Sequence, residues 1–273
     1  MSFVLEHLQN NLWSGKFTHF PTDIMVHGIS ARLGGVSSKP YDALNMGLHV
    51  GDDKEAVLEN RRRYLNALEI KAEDVCSPQQ VHGTKVLRVT VGDRGKGALD
   101  YESAIAETDA LITNALGVPL MLCFADCVPL LFLDPEKGAI GLAHAGWKGT
   151  VARIGVKTVE AMAKNFGTDP GKLLVGIGPS IGVECFDIGE EVARKFREAF
   201  PAYHDKILSR QEGKDHADLW AANRLQLIEA GVAAENVQCA DTCTSCQHKW
   251  YFSYRADGGE TGRLAAVMML KKY

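Results

Sequence analysis

The sequence predicts a mixed α+β fold with a central sheet, and three observations carry that expectation. Short runs are apolar at every position, longer segments are apolar at three- and four-residue steps, and no repeat, low-complexity tract or Pro/Ser-rich linker divides the 273 residues. In chain order, strand patterns fall at Ile24–Ser30, Lys85–Val91, Ala110–Thr113, Leu120–Phe124, Val128–Leu133 and Ala139–Ala143, with helical spacing at Lys54–Leu68 between the first two. A second helix is expected at Thr150–Asn165, where Val151, Ile154, Thr158, Met162 and Phe166 share one face. Strand Leu173–Ile177, helices Glu190–Phe200 and Leu219–Ala230, and strands Val237–Ala240, Trp250–Tyr254 and Leu264–Leu270 complete the set. Strands apolar on both faces need cover on both, which the helices can give. The glycine-bearing stretch from Gly92 to Ser103 reads as a loop, so residues 1–273 are expected to form a single domain.

Composition narrows the function. With 30 Lys+Arg against 34 Asp+Glu, a formal charge of −4 and 46% hydrophobic residues, the chain lacks the basic face that collects phosphates of nucleic acid or an anionic membrane. Small-molecule chemistry is the default. The opening MSFVLEHLQNN has no basic segment followed by an apolar stretch, and the most apolar run, Val118 to Leu133, is broken by Asp126 and two prolines. Neither a signal peptide nor a membrane span is expected. Seven cysteines, an odd number, suit reduced thiols in the cytoplasm better than a disulfide framework.

The informative stretch is Cys123–Thr150, where two apolar strands flank a turn at Asp134–Gly138. A hairpin would set Asp126 and Cys127, ahead of the first strand, against His144 at the end of the second. His82, in SPQQVHGTKV, is a third ligand-type residue, beside a glycine that permits close approach. His82, Cys127 and His144 suit Zn²⁺ and leave a fourth position open, as catalytic sites do. One buried cysteine with two satisfied histidines would give the same letters, and a metal-free Cys127–His144 nucleophile pair is a further option. Cys239, Cys243, Cys246 and His248 also fall within ten residues and admit a second, structural metal.

Several motifs in order carry a resemblance: SARLGGVS at Ser30–Ser37, NMGLHVGD at Asn45–Asp52, QVHG at Gln80–Gly83, TDALIT at Thr108–Thr113, ADCVPLLFLDP at Ala125–Pro135, AHAGWKGT at Ala143–Thr150, IGPSIGVECFDIG at Ile177–Gly189 and SYRADGGETGR at Ser253–Arg263. The chain resembles the YfiH-like family, whose members carry the labels polyphenol oxidase, laccase-domain protein and purine nucleoside phosphorylase. The resemblance implies a single-domain α/β sandwich with mixed β-sheets. It also implies zinc on His82, Cys127 and His144, phosphorolysis of adenosine, inosine and methylthioadenosine by inorganic phosphate, and deamination of adenosine to inosine.

The laccase label can be weighed by arithmetic. A multicopper oxidase needs about ten histidines, largely in H-x-H pairs, whereas this chain has nine and no such pair. Copper is then expected only as an adventitious occupant of the His₂Cys site. Zinc lowers the pKa of bound water towards neutrality, which suits deamination at purine C6. Asp126 and Asp109 are acid–base or ligand-orienting candidates. Arg32, Lys148 and Arg255 are candidates for anion binding, and Asn45 and Gln80 for ribose or base, although loop-tying would equally explain an arginine among glycines. A turn after His144 and a helix opening at Thr150 would offer backbone N–H groups to phosphate. A cysteine hydrolase acting on peptide or cell-wall fragments is the alternative class, and the sequence leaves the oligomeric state open.

Overall fold

The structure, a computed structural model, describes residues 2–271. Its strands are β1 (Phe3–His7), β2 (Trp13–Phe17), β3 (Met25–Ser30), β4 (Val86–Arg88), β5 (Ala110–Thr113), β6 (Leu120–Phe124), β7 (Val128–Asp134), β8 (Ala139–Ala145), β9 (Leu174–Ile177), β10 (Asp187–Ile188), β11 (Leu208–Gln211), β12 (Lys214–Ala217), β13 (Val237–Cys239) and β14 (Leu264–Leu270). The helices are α1 (Lys54–Ala67), α2 (Trp147–Val151), α3 (Ile154–Phe166), α4 (Glu190–Ala199) and α5 (Leu219–Glu229). Among the described residues no helix is long and apolar enough to cross a membrane.

Two large sheets stack face to face. One is antiparallel, in the order β1-β2-β3-β14-β6; the other is mixed, in the order β13-β9-β7-β8-β5-β4, with β13 parallel to β9 and β4 parallel to β5. Strict alternation along β7 explains why every residue there is apolar until Asp134. Leu131 and Leu133 point into the core between the sheets with Ile29, Leu122 and Met268, while Leu130 and Phe132 point the other way, onto Ile154, Met162 and Leu227 of α3 and α5. On the far side, Tyr64 and Leu65 of α1 cover Met121, Cys123 and Val267. The result is the expected α/β sandwich, with helices covering one antiparallel and one mixed sheet. A three-stranded sheet, β10-β12-β11, is separate in hydrogen bonding but packs Ala217, Ile188 and Leu208 on the same core as α3 and α5.

Most elements lie where the sequence places them, within a residue or two, and three differences are instructive. The helix expected from Thr150 is in fact two helices. Trp147 opens α2 with Gly146 as N-cap, Arg153 turns left-handed at φ 62, and α3 starts at Ile154. Apolar spacing passes through that break because both helices pack on the same sheet face. Trp250–Tyr254 is not a strand. Trp250 and Tyr251 both donate their N–H to the Gln247 carbonyl, and Tyr251 and Phe252 are held by burial against Leu264. Aromatic β-propensity reflects a half-buried surface, and this turn provides one without a ladder. The hairpin of β1 and β2 and the small third sheet were not expected, because half-exposed residues blur their alternation.

Candidate metal centre

Strand register assembles the site. Ala110 of β5 lies opposite Ala143 of β8, and Val128 of β7 opposite Ala145, so Asp109, Cys127 and His144 gather at one edge of the mixed sheet. The hairpin turn is closed by Asp134, whose Oδ1 accepts the N–H groups of Glu136 and Lys137. His82 arrives on a tight turn in which it is left-handed (φ 58), and the Asp109 carboxylate shapes that turn by accepting the N–H groups of Val81, His82 and Gly83 at 3.2, 3.0 and 2.7 Å.

The ligand atoms of His82, Cys127 and His144 all lie within 4.8 Å of one another, with Cys127 Sγ 3.7 Å from His82 Nε2. Bonds of about 2.0–2.3 Å to a tetrahedral zinc set neighbouring ligands about 3.3–3.6 Å apart, so the donor set fits such an ion after little closure. Asp109 Oδ1 also accepts a 2.9 Å hydrogen bond from His144 Nδ1, which fixes the tautomer and leaves Nε2 as the ligating atom. Gly146 supplies room: a Cβ there would lie 2.9 Å from both Cys127 Sγ and His82 Cδ2.

Electrostatics couple Cys127, His144 and Asp109 in the metal-free protein. Burial opposes charge on Cys127, yet the adjacent His144 and His82 bring its thiol down to about 6. Burial likewise opposes protonation of His144, and the Cys127 sulfur and Asp109 carboxylate overcome it, raising His144 to about 9. Asp109 is buried, but the hydrogen bond and charge of His144, with the Gly83 and Val81 amides, hold its carboxyl below the ordinary range. Cys127 is therefore held as the thiolate, the form that ligates or attacks.

These residues open into a cavity of about 490 Å³, within the range of small-molecule sites. Trp147, Phe186, Tyr254 and Ile181 give it apolar walls, and His49, Gln80, Asp126, Lys148, Arg255 and Arg263 add polar groups. Not all of these are available to a ligand. Gln80 is spent on the Cys123 backbone, donating to its carbonyl and accepting from its N–H, both at 2.8 Å. Asp126, left-handed at φ 79, accepts from Thr244 Oγ1 at 2.6 Å and from the Arg255 N–H at 2.7 Å. The Arg255 guanidinium is occupied by Asp187 and the Cys185 carbonyl. Lys148 and Arg263, by contrast, form no ion pair among the described residues. Lys148 Nζ lies 5.7 Å over the Trp147 ring, and Arg263 donates to the carbonyls of Thr261 and Gly262.

Two expected substrate residues lie away from the cavity. Arg32 ties loops by donating to the Asp42 and His248 carbonyls and stacking 4.6 Å from the Phe252 ring. Asn45 is fully buried, bonded to Gly47, Asp52 and the Arg263 N–H. Thr150 does not open a helix, because α2 begins at Trp147. It is buried inside α2, accepting from Asn223. Conversely, His49 and Arg263 belong to the cavity although only their motifs, not their side chains, stand out in the sequence. Burial and the nearby Arg263 and Arg61 charges lower His49 to about 4, leaving it a neutral imidazole.

The second group of ligand-type residues also differs from expectation. Cys243 and Cys246 meet Cys185, whereas Cys239 stands in β13 and His248 Nδ1 turns to the Ser245 carbonyl. Among the described residues these two sets are the only groupings of three or more His, Cys, Asp or Glu placed to share an ion, and together they use two histidines.

The chain is similar to known proteins over most of its length. Residues 26–271 match the family described as multi-copper polyphenol oxidoreductase laccase. The chain is 42% identical over 246 residues to the purine nucleoside phosphorylase YlmD of Geobacillus stearothermophilus, covering 89% of each protein. It is 35% identical to the adenosine deaminase RL5 of an unknown prokaryotic organism, over 87% of this chain and 91% of that one. The crystal structure of the hypothetical protein YfiH from Bacillus licheniformis superposes with a TM-score of 0.92 at 34% identity, covering 98% of this chain and 99% of that chain.

Proposed function

The chain belongs to this laccase-described, YfiH-like family, and on that premise we propose that it is a zinc-dependent purine nucleoside enzyme working as one catalytic domain over residues 1–273. In this reading it cleaves adenosine, inosine and methylthioadenosine with inorganic phosphate to base and sugar 1-phosphate, and deaminates adenosine to inosine. The observation that carries the reading is an open His82–Cys127–His144 set facing a cavity with aromatic walls and two cations free of carboxylate partners. A bound zinc would supply Lewis acidity at the edge of that cavity.

The chain's own residues divide the remaining work. Asp109 holds His144 in the ligating tautomer and shapes the His82 turn. Trp147, Phe186 and Tyr254 offer faces for a purine, and the neutral His49 offers one donor and one acceptor to its polar edge. Lys148 and Arg263 are the groups to hold phosphate, since their charge is not already matched. Asp126 and Arg255 position the loop that carries Tyr254. Gln80 fixes the end of β6, and Arg32 and Asn45 maintain the loops behind the cavity. Chromatography of products from adenosine and inosine, with and without phosphate, tests the proposal. Inosine and ammonia should form without phosphate and free base plus ribose 1-phosphate with it; a zinc-loaded protein that releases none of these contradicts it.

A further inference from the structure

We propose that Cys185, Cys243 and Cys246 form a second metal site, which binds a thiophilic cation, Zn²⁺ or Cu⁺, through three thiolates. The inference is independent of the nucleoside reading. Sulfur atoms of the three residues all lie within 4.8 Å of one another, Cys185 and Cys246 at 3.3 Å, and none of the described cysteines forms a disulfide. Three soft ligands at this separation suit zinc or monovalent copper far better than a hard ion.

The chain supplies these ligands from two places, as a metal site requires. Cys185 ends the turn Val183–Cys185, and Cys243 and Cys246 form a C-x-x-C on a separate loop. Backbone pairing locks the two together: the Ser180 N–H donates to the Thr242 carbonyl at 3.2 Å and the Thr244 N–H to the Ser180 carbonyl at 3.0 Å. Gly182 permits the approach, because a Cβ there would sit 3.2 Å from Cys243 Cβ. Cys243 Sγ already accepts the N–H groups of Gly182 at 3.2 Å and Cys246 at 3.4 Å, the donor environment of a ligating thiolate. Those amides also lower its pKa against the effect of burial. Cys243 and Cys246 face a surface cavity of about 490 Å³ that Asp241 and Gln247 share, which provides an entry path and leaves a fourth position to solvent.

Binding would reach the first site through the chain. Cys185 precedes Phe186, a wall of the first cavity, and its carbonyl accepts from Arg255. An ion on the three thiolates would fasten that wall to the C-x-x-C loop.

Metal counting tests the site on the full chain, kept reduced with a phosphine, loaded with Zn²⁺ and freed of excess. Two equivalents are expected for the unaltered protein and one each for Cys246→Ser, Cys185→Ser and Cys127→Ala. Cobalt-loaded Cys127→Ala should retain an intense thiolate-to-metal absorption that disappears when Cys246→Ser is added. A reduced Cys127→Ala protein that retains no ion overturns the proposal, whatever the first site binds. So does retention of two equivalents by both Cys246→Ser and Cys185→Ser. If residues 185 and 246 remain cross-linked after the phosphine treatment, the chain two hydrogens short and no second ion bound, the thiols pair as a disulfide and the proposal is overturned.

Discussion

Asp109→Asn is the most discriminating change near the metal ligands, because it keeps the shape and removes the charge. Asp109 is fully buried and accepts four hydrogen bonds, two on each oxygen: His144 Nδ1 and the His82 N–H on Oδ1, and the Val81 and Gly83 N–H groups on Oδ2. An asparagine must place its NH₂ against one of these pairs, so two buried donors face another donor. At about 1–3 kcal/mol for each unsatisfied group, the fold should lose roughly 2–6 kcal/mol. Losing the carboxylate behind His144 should also weaken metal binding by about 10–100-fold. Urea unfolding of the metal-free protein reads the first effect, and zinc competition against a chromophoric chelator reads the second. If the variant unfolds earlier but binds zinc as tightly as before, His144 is not a ligand held by Asp109 and the orientation argument fails.

Replacing Gly146 by Ala should expel zinc from the first site, since the new Cβ would lie 2.9 Å from two ligand side chains; unchanged zinc content by mass spectrometric metal analysis would contradict the assigned geometry. Lys148→Ala should raise the phosphate KM of phosphorolysis on the order of tenfold, the loss of one charge-assisted hydrogen bond, while leaving phosphate-independent deamination nearly unchanged. Equal losses in both reactions would place Lys148 elsewhere in nucleoside binding. His27 provides a pH signature: it is 3% exposed, accepts the Phe17 N–H at 2.9 Å, and is lowered to about 3 by burial and then by Lys16 and His19. Its stabilising effect is complete above pH 6.5 and is lost as pH falls towards 3, because the unfolded chain takes up a proton that the folded one resists. The unfolding free energy from urea titrations should therefore fall by up to about 1.4 kcal/mol per pH unit across that window, and His27→Gln should flatten the dependence.

The sheet core was legible because strands apolar on both faces leave few other arrangements, and β7 with β8 set Cys127 against His144 by register alone. His82 was not legible in that way. Its turn lies far back in the chain, so only residue type and the adjacent glycine joined it to the other two, a grouping that the family resemblance strengthened. Charge type identified Lys148 and Arg255, but whether a cation is free depends on neighbours that spacing does not reveal: Asp187 occupies Arg255 while Arg263 stays unmatched. The cysteine-rich segment misled for a similar reason. Proximity in sequence grouped Cys239 and His248 with Cys243 and Cys246, whereas the third thiol, Cys185, comes from a distant turn that backbone pairing at Ser180 brings alongside.

The central claim is that His82, Cys127 and His144 hold the ion on which nucleoside chemistry depends. Cys127→Ala, assayed for zinc content and for products from adenosine with phosphate, tests it most directly. The account predicts a folded protein that has lost one equivalent of zinc and releases neither inosine nor free base. A variant that has lost that zinc and still turns over adenosine, or one that keeps its full zinc content, would contradict it.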